Sequence, residues 1–194
     1  MNIDEQIYEV SRQLNFVNDN ALTLAYIGRF CPMHLGHQAM IGGMIHAAKV
    51  NHLLLIGSCN QPLSYRNLFG FADRLSFIKT VYPDANVVGL PDFKDDNASW
   101  FTQLDCLIRL AGAEPSDVVF IGGCEEDVEW FGQFDRKVAI VNRFEGITTN
   151  ISGTEIRDHL IEKRYEKLDG LLDRRIVPQV IEKFAPQWEK LRKQ

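Results

Sequence analysis

His34 and His37 stand three residues apart where an apolar run gives way to a helical pattern. They end the stretch Gly28-Arg29-Phe30-Cys31-Pro32-Met33-His34-Leu35-Gly36-His37, between the apolar residues 22–27 and a helix expected over 38–50. The spacing puts both imidazoles on one side of the first helical turn. A neutral imidazole donates a hydrogen bond without a permanent charge, which suits a phosphate oxygen. The helix N-terminus adds unpaired N–H groups and the positive end of its dipole. A strand handed to a helix through a turn marked by Gly and Pro, with two histidines, reads as a site for nucleotide phosphates. The competing reading is a strand–helix turn whose histidines carry no chemistry.

Ile151-Ser152-Gly153-Thr154-Glu155-Ile156-Arg157 opens another helix. Ser152 or Thr154 can cap it, and Arg157 projects from its first turn. Free N–H groups, hydroxyls and a guanidinium together suit the outer phosphates of a triphosphate. Alone, Ser-x-Thr before a helix is a cap; the histidine segment upstream gives it the second reading.

Alternating elements must position these residues. Strands are expected over 22–27, 52–57, 86–90, 117–121 and 137–141, with helices over 71–81, 98–111, 154–162 and from Pro178 to about residue 190. The run His52-Leu53-Leu54-Leu55-Ile56-Gly57 fits a strand buried on both faces. Such alternation implies right-handed βαβ crossovers and a parallel sheet, whose ligands bind beyond the strands' carboxyl ends. The expected fold class is α/β, a Rossmann-like doubly wound parallel sheet. Residues 1–20 are expected as an N-terminal helical extension and 21–194 as a single domain. In the extension, Ile3, Ile7, Val10 and Leu14 form one stripe and Asn18-Asp19-Asn20 breaks the helix. The stripe docks either on the domain or on a second subunit.

The 194 residues suffice for one full core, and 45% apolar with 24% charged residues is ordinary for a globular chain. A net charge of −5 argues against a broad nucleic-acid face. The acidic start, Met1-Asn2-Ile3-Asp4-Glu5, shows no signal peptide, and no apolar run nears the roughly 18 residues of a membrane span; a cytoplasmic protein without membrane partners is expected. Cys31, Cys59, Cys106 and Cys124 form no CxxC pair, so no zinc site is read. They are small buried hydrophobes or, for the three near strand ends, wall residues of the site.

The Gly28–His37 segment resembles the HxGH signature of the nucleotidylyltransferase superfamily, including the upstream Gly-Arg-Phe and the Pro before the first His. Residues 151–157 look like the ISxTxxR element that accompanies it. After the third strand, Pro91-Asp92-Phe93-Lys94-Asp95-Asp96-Asn97-Ala98-Ser99-Trp100 resembles the loop of nicotinamide mononucleotide adenylyltransferases, in the branch shared by archaeal enzymes and Nudix-fused bacterial ones. Gly57 to Phe69 resembles the same branch, with Leu68 in place of a Pro and Asp73-Arg74 in place of Glu-Arg. The resemblance spans about residues 22–185 and lacks a Nudix part.

That resemblance implies a nucleotidylyltransferase-type fold. It implies ATP binding by Gly28, Arg29, Phe30, His34, Gly36, His37, Gly122, Gly123, Ser152, Thr154 and Arg157, with Ser152, Thr154 and Arg157 on the β- and γ-phosphates. Arg66, Asp92, Asn97 and Trp100 would hold nicotinamide mononucleotide. A Trp face suits a cationic pyridinium; the competing reading of Trp100 is helix core packing. Cys124 stands where relatives carry a side-chain contact to the nucleotide. The implied reaction joins ATP and nicotinamide mononucleotide into NAD and pyrophosphate, with His34, His37, Arg29 and Arg157 as catalytic residues. Mg²⁺ would bridge phosphate oxygens, with no dedicated metal cage of protein ligands, and a homo-oligomer is implied. The alternatives are a relative using another phosphate acceptor, such as phosphopantetheine, and a module that senses NAD or ATP without turnover.

Overall fold

A computed structural model describes residues 1–17, 23–47, 51–132, 134–141 and 151–193. The Asn18–Asn20 breaker, Leu22 and the end of the helix expected over 38–50 lie outside the described residues.

Side chains of the first strand, β1 (Thr23–Gly28), alternate between two cores: Leu24 and Tyr26 face one, Ala25 and Ile27 the other. The same alternation runs through β2 (Asn51–Ile56), with Leu54 and Ile56 opposite Leu53 and Leu55, and through β4 (Val118–Gly122), with Val119 and Ile121 opposite Val118 and Phe120. Strands buried on both faces are the mark of a parallel sheet covered by helices. With β3 (Val87–Gly89) and β5 (Lys137–Ile140), they form a five-stranded, all-parallel sheet in the order β3-β2-β1-β4-β5.

One face carries α1 (Ile3–Val17), α2 (Leu35–His46), α3 (Phe71–Val81), α6 (Gly153–Ile161) and α7 (Val177–Leu191). The other carries α4 (Asn97–Leu110) and α5 (Glu125–Gly132). The chain winds outward from β1 through β2 to β3, then returns to the other side of β1. The strand order therefore reverses between β1 and β4, which is where doubly wound sheets open a crevice for ligands.

Helix α1 packs on α2 at glycines. A Cβ on Gly43 would lie 2.3 Å from Val10 Cγ1, and one on Gly42 would lie 2.7 Å from Ile7 Cδ1. Only glycine permits that approach, and Val10 and Leu14 are fully buried by it. The stripe thus docks on its own domain.

Several expectations need correction. The fourth strand, expected over 117–121, runs over Val118–Gly122, where Gly122 pairs with Ile140. Helix α5 was not expected; its inward stripe is only Val128 and Phe131, too short for periodicity to reveal. Short 3₁₀ turns at Pro115–Asp117 and Tyr165–Leu168 were also missed. The last helix, expected from Pro178 to about residue 190, is borne out by α7, which passes through Pro186 to Leu191.

Candidate active site

The turn after β1 is shaped by Phe30. Its φ is +50°, and its buried ring folds back so closely that a Cβ on Gly28 would meet Phe30 Cζ at 2.8 Å. Gly28 is therefore fixed by packing as well as by any ligand. The chain then reaches His34, the N-cap of α2.

The two histidines form one unit. His34 Nδ1 accepts from the His37 N–H at 3.3 Å, and His37 Nδ1 accepts from the His34 N–H at 3.4 Å. This is a reciprocal capping box built from imidazoles rather than Ser and Glu. The rings stack with centroids 3.6 Å apart, and Phe30 meets the His37 ring edge-on at 5.0 Å. Because each Nδ1 is an acceptor, each neutral ring carries its proton on Nε2. The cap thus sets the tautomer that donates a hydrogen bond.

Beneath the turn, Arg74 of α3 is 1% exposed and donates to three carbonyls: Gly57 O at 2.7 Å, Arg29 O at 3.0 Å and Ser58 O at 3.1 Å. It ties the ends of β1 and β2 together behind Arg29. Burial lowers its pKa from the ordinary guanidinium value.

Helix α6 brings the second element. Ser152, not Thr154, is its N-cap, its Oγ accepting from the Thr154 N–H at 3.1 Å. Thr154 Oγ1 instead accepts from Arg157 Nη2 at 2.9 Å, and Arg157 Nη1 donates to Cys31 O at 3.2 Å. The guanidinium, 9% exposed, links α6 to the β1–α2 turn. Tyr65 lies over it, 5.2 Å from ring centroid to Cζ, and donates from its hydroxyl to Asp158 Oδ1 at 2.7 Å. That bond to a carboxylate raises the phenol's pKa.

These pieces enclose a cavity of about 280 Å³ at the β1/β4 switch point. Of the residues singled out from sequence, Gly28, Arg29, Phe30, His34, Gly36, His37, Gly123 and Arg157 line it. Ser152 and Thr154 are not among its walls but attach through the start of α6. Gly122 lies in β4. Cys31 is a wall residue whose thiol pKa burial pushes up, so it stays protonated. Cys59 is half-buried, Cys124 buried and Cys106 exposed.

Arg66, Asp92, Asn97 and Trp100 are not brought to the cavity walls. Arg66 is exposed. The Asp92 backbone exchanges two hydrogen bonds, each 2.9 Å, with the Asn60 amide. Asn97 begins α4 beside its cap, Asp96. Trp100 packs among Trp130 at 5.1 Å, Phe101 at 5.2 Å and Phe131 at 6.0 Å. Phe131 lines the cavity and stacks on Phe120, another wall residue, at 4.6 Å. Trp100 is thus one ring removed from the cavity. Sequence reasoning missed Phe120, Phe131, Tyr65 and the role of Arg74. For Arg74 the only signal was the Asp-Arg pair opening α3.

No family model matches the chain. A nicotinamide-nucleotide adenylyltransferase from Methanolobus tindarius is 31% identical over 99 residues, which cover 49% of this chain and 53% of that protein. The fold is similar to the crystal structure of a bifunctional NMN adenylyltransferase/ADP ribose pyrophosphatase from Francisella tularensis, with a TM-score of 0.67 at 17% identity over 87% of this chain and 52% of that one. A Francisella tularensis structure of that description complexed with AMP and a manganese ion gives 0.59 at 18% identity, over 88% and 54% of the two chains. The chain spans about half the length of these relatives. In sequence over half its length, and in fold over nearly all of it, this chain is similar to nicotinamide-nucleotide adenylyltransferases.

Proposed function

We propose that this chain is an adenylyltransferase that forms NAD and pyrophosphate from ATP and nicotinamide mononucleotide. One observation carries the reading: two helix starts equipped for phosphate, that of α2 with His34 and His37 and that of α6 with Gly153 and Arg157, meet at one switch-point cavity. The likeness to a nicotinamide-nucleotide adenylyltransferase supports the acceptor.

In this reading, an oxygen of the mononucleotide's 5′-phosphate attacks the α-phosphorus of ATP in line. The new P–O–P bond forms as the bond to the β-phosphate oxygen breaks, and pyrophosphate leaves with its electron pair. The nucleophile is already an anion, so no general base is needed. The chain's task is positioning and charge neutralisation. His34 and His37 donate from Nε2 to the transferring phosphate and the leaving oxygens. Arg29 and Arg157 offset charge along the phosphate chain, and the α6 N-terminus holds the outer phosphates. Besides the Tyr26 phenol and the Cys31 thiol, the polar side chains at the walls are imidazoles and guanidiniums with no carboxylate among them, which suits phosphate oxygens rather than a hard cation. Mg²⁺ would accordingly enter with ATP, carried on its phosphates. Arg66, Asp92, Asn97 and Trp100 hold the mononucleotide. Trp100 stacks on its pyridinium.

The proposal includes a cytoplasmic setting and a homo-oligomer. Among the described residues no helix is long and apolar enough to cross a membrane.

The test is pyrophosphate release from ATP and Mg²⁺ with nicotinamide mononucleotide, nicotinic acid mononucleotide or phosphopantetheine as acceptor. Turnover with the nicotinamide compound is expected. Turnover with phosphopantetheine alone would keep the phosphate site and reject the acceptor. ATP binding with no turnover would favour a nucleotide sensor.

A further inference from the structure

The segment between β2 and α3 is pinned at both ends. Near its start, the Cys59 N–H donates to Leu90 O at 3.2 Å, and Asn60 is bonded to Asp92. At its end, Leu68 and Phe69 are fully buried. Between them a tight turn closes on itself: the Asn67 N–H donates to Ser64 O at 3.0 Å, and the Ser64 N–H donates to Asn67 O at 3.2 Å. Tyr65 and Arg66 occupy the tip of this turn. A turn held in this way presents its tip at a fixed place over α6.

There Tyr65 touches two consecutive residues of α6, the Arg157 guanidinium with its ring and the Asp158 carboxylate with its hydroxyl. Cys31 O and Thr154 Oγ1 take N–H groups of the guanidinium, and its Cζ lies over the Tyr65 ring. A ring packed against a guanidinium attracts the cation and keeps water from it, which strengthens its hydrogen bonds. Tyr65 itself is 42% exposed, so it is not held there by core burial.

We infer that Tyr65 is a positioning residue, whose ring packs against the Arg157 guanidinium and holds it in place for phosphate. The inference rests on the proposed reading that Arg157 binds the phosphates of ATP. It adds that the β2–α3 segment, rather than α6 alone, sets the strength of that binding. The partially exposed position makes Tyr65 variants compatible with folding.

The test is a double-mutant cycle read by calorimetric binding of ATP with Mg²⁺ to the full chain. Tyr65→Ala should weaken binding about fivefold, the scale of a partly exposed cation–π contact. Tyr65→Phe keeps the ring and should restore most of the loss. In an Arg157→Ala background, Tyr65→Ala should add no further loss, because the residue acts through the guanidinium. The same fivefold loss in that background, or unchanged or tighter binding in Tyr65→Ala alone, would overturn the inference. If the parent chain binds no ATP, the active-site reading fails, and the packing of Tyr65 on Arg157 is read on the free protein instead. NMR exchange of the Arg157 Nε proton with solvent should then be slower in the parent than in Tyr65→Ala, and equal rates would overturn the positioning role.

Discussion

At the β1/β4 end of the sheet, three segments far apart in sequence lock onto one another around a cavity. The β1–α2 turn gives the His34–His37 box, α6 reaches back through Arg157 to Cys31 O, and α3 supports Arg29 from below through Arg74. At the β3 end, the loop resembling an acceptor site holds itself. Asp92 is bonded to Asn60, Asn97 sits beside its helix cap, and Trp100 packs among rings. The end proposed to hold phosphate is tied together by its own hydrogen bonds around the cavity, whereas the end proposed to take the acceptor stands one aromatic ring away from it. Phosphate recognition draws on helix starts and strand ends, which the fold supplies. Recognition of a flat cationic ring depends on side chains that a loop must carry to it.

If the phosphate end is prebuilt for catalysis, its imidazoles give the largest effect. His37→Ala should lower kcat about 10²–10³-fold, the usual scale for losing an electrostatic donor at a reacting centre. The lost half of the capping box should cost only about 1 kcal/mol of stability. Steady-state kinetics beside a urea melt separates the two, and an unchanged kcat in folded protein would remove His37 from the mechanism. Arg74 tests the scaffold beneath. Arg74→Met leaves three partly buried carbonyls without their donor and should cost about 3 kcal/mol in a urea melt. A near-neutral result would show that the strand ends hold without it.

The acceptor end should respond differently. Trp100→Ala should raise KM for nicotinamide mononucleotide about tenfold, the scale of a desolvated cation–π contact, with KM for ATP unchanged. Trp100→Phe should recover part of the loss. Equal effects on both substrates would make Trp100 a packing residue shared by the whole site.

How much of this could be read from sequence follows the same division. His34, His37 and Arg157 were legible because residue type and spacing on a nascent helix carry the chemistry. Their mutual bonds were not, because the histidine box substitutes for the usual Ser and Glu, and Arg157 finds Cys31 O across 126 positions. Arg74 was opaque for a sharper reason: its partners are backbone carbonyls, which leave no trace in residue identity. Trp100 was left between stacking and packing because its neighbours Trp130 and Phe131 come from α5, a helix too short to announce itself. The parallel sheet followed from alternation and buried strands, but its order, β3-β2-β1-β4-β5, was not read from the sequence.

The smallest effect concerns how α2 is seated. Asp173 accepts from Gln38 of α2 at 2.9 Å and pairs with Arg175. Its hydrogen bonds from Arg175 hold its pKa down to about 2, against partial burial. Because the folded value lies below the unfolded carboxylate value of about 4, this support is full above about pH 4 and is lost as pH falls toward about 2. Thermal melts across pH 2–6 should show part of the acid loss of stability disappear in Asp173→Asn. An identical pH slope would place the acid sensitivity elsewhere.

The most direct measurement follows the α-phosphorus itself, by incubating the chain with α-labelled ATP, Mg²⁺ and nicotinamide mononucleotide and separating the products. Label appearing in the dinucleotide, with unlabelled pyrophosphate released in equal amount, is the predicted result. Label that stays in ATP, or leaves only as AMP by hydrolysis, would contradict adenylyl transfer at the β1/β4 cavity.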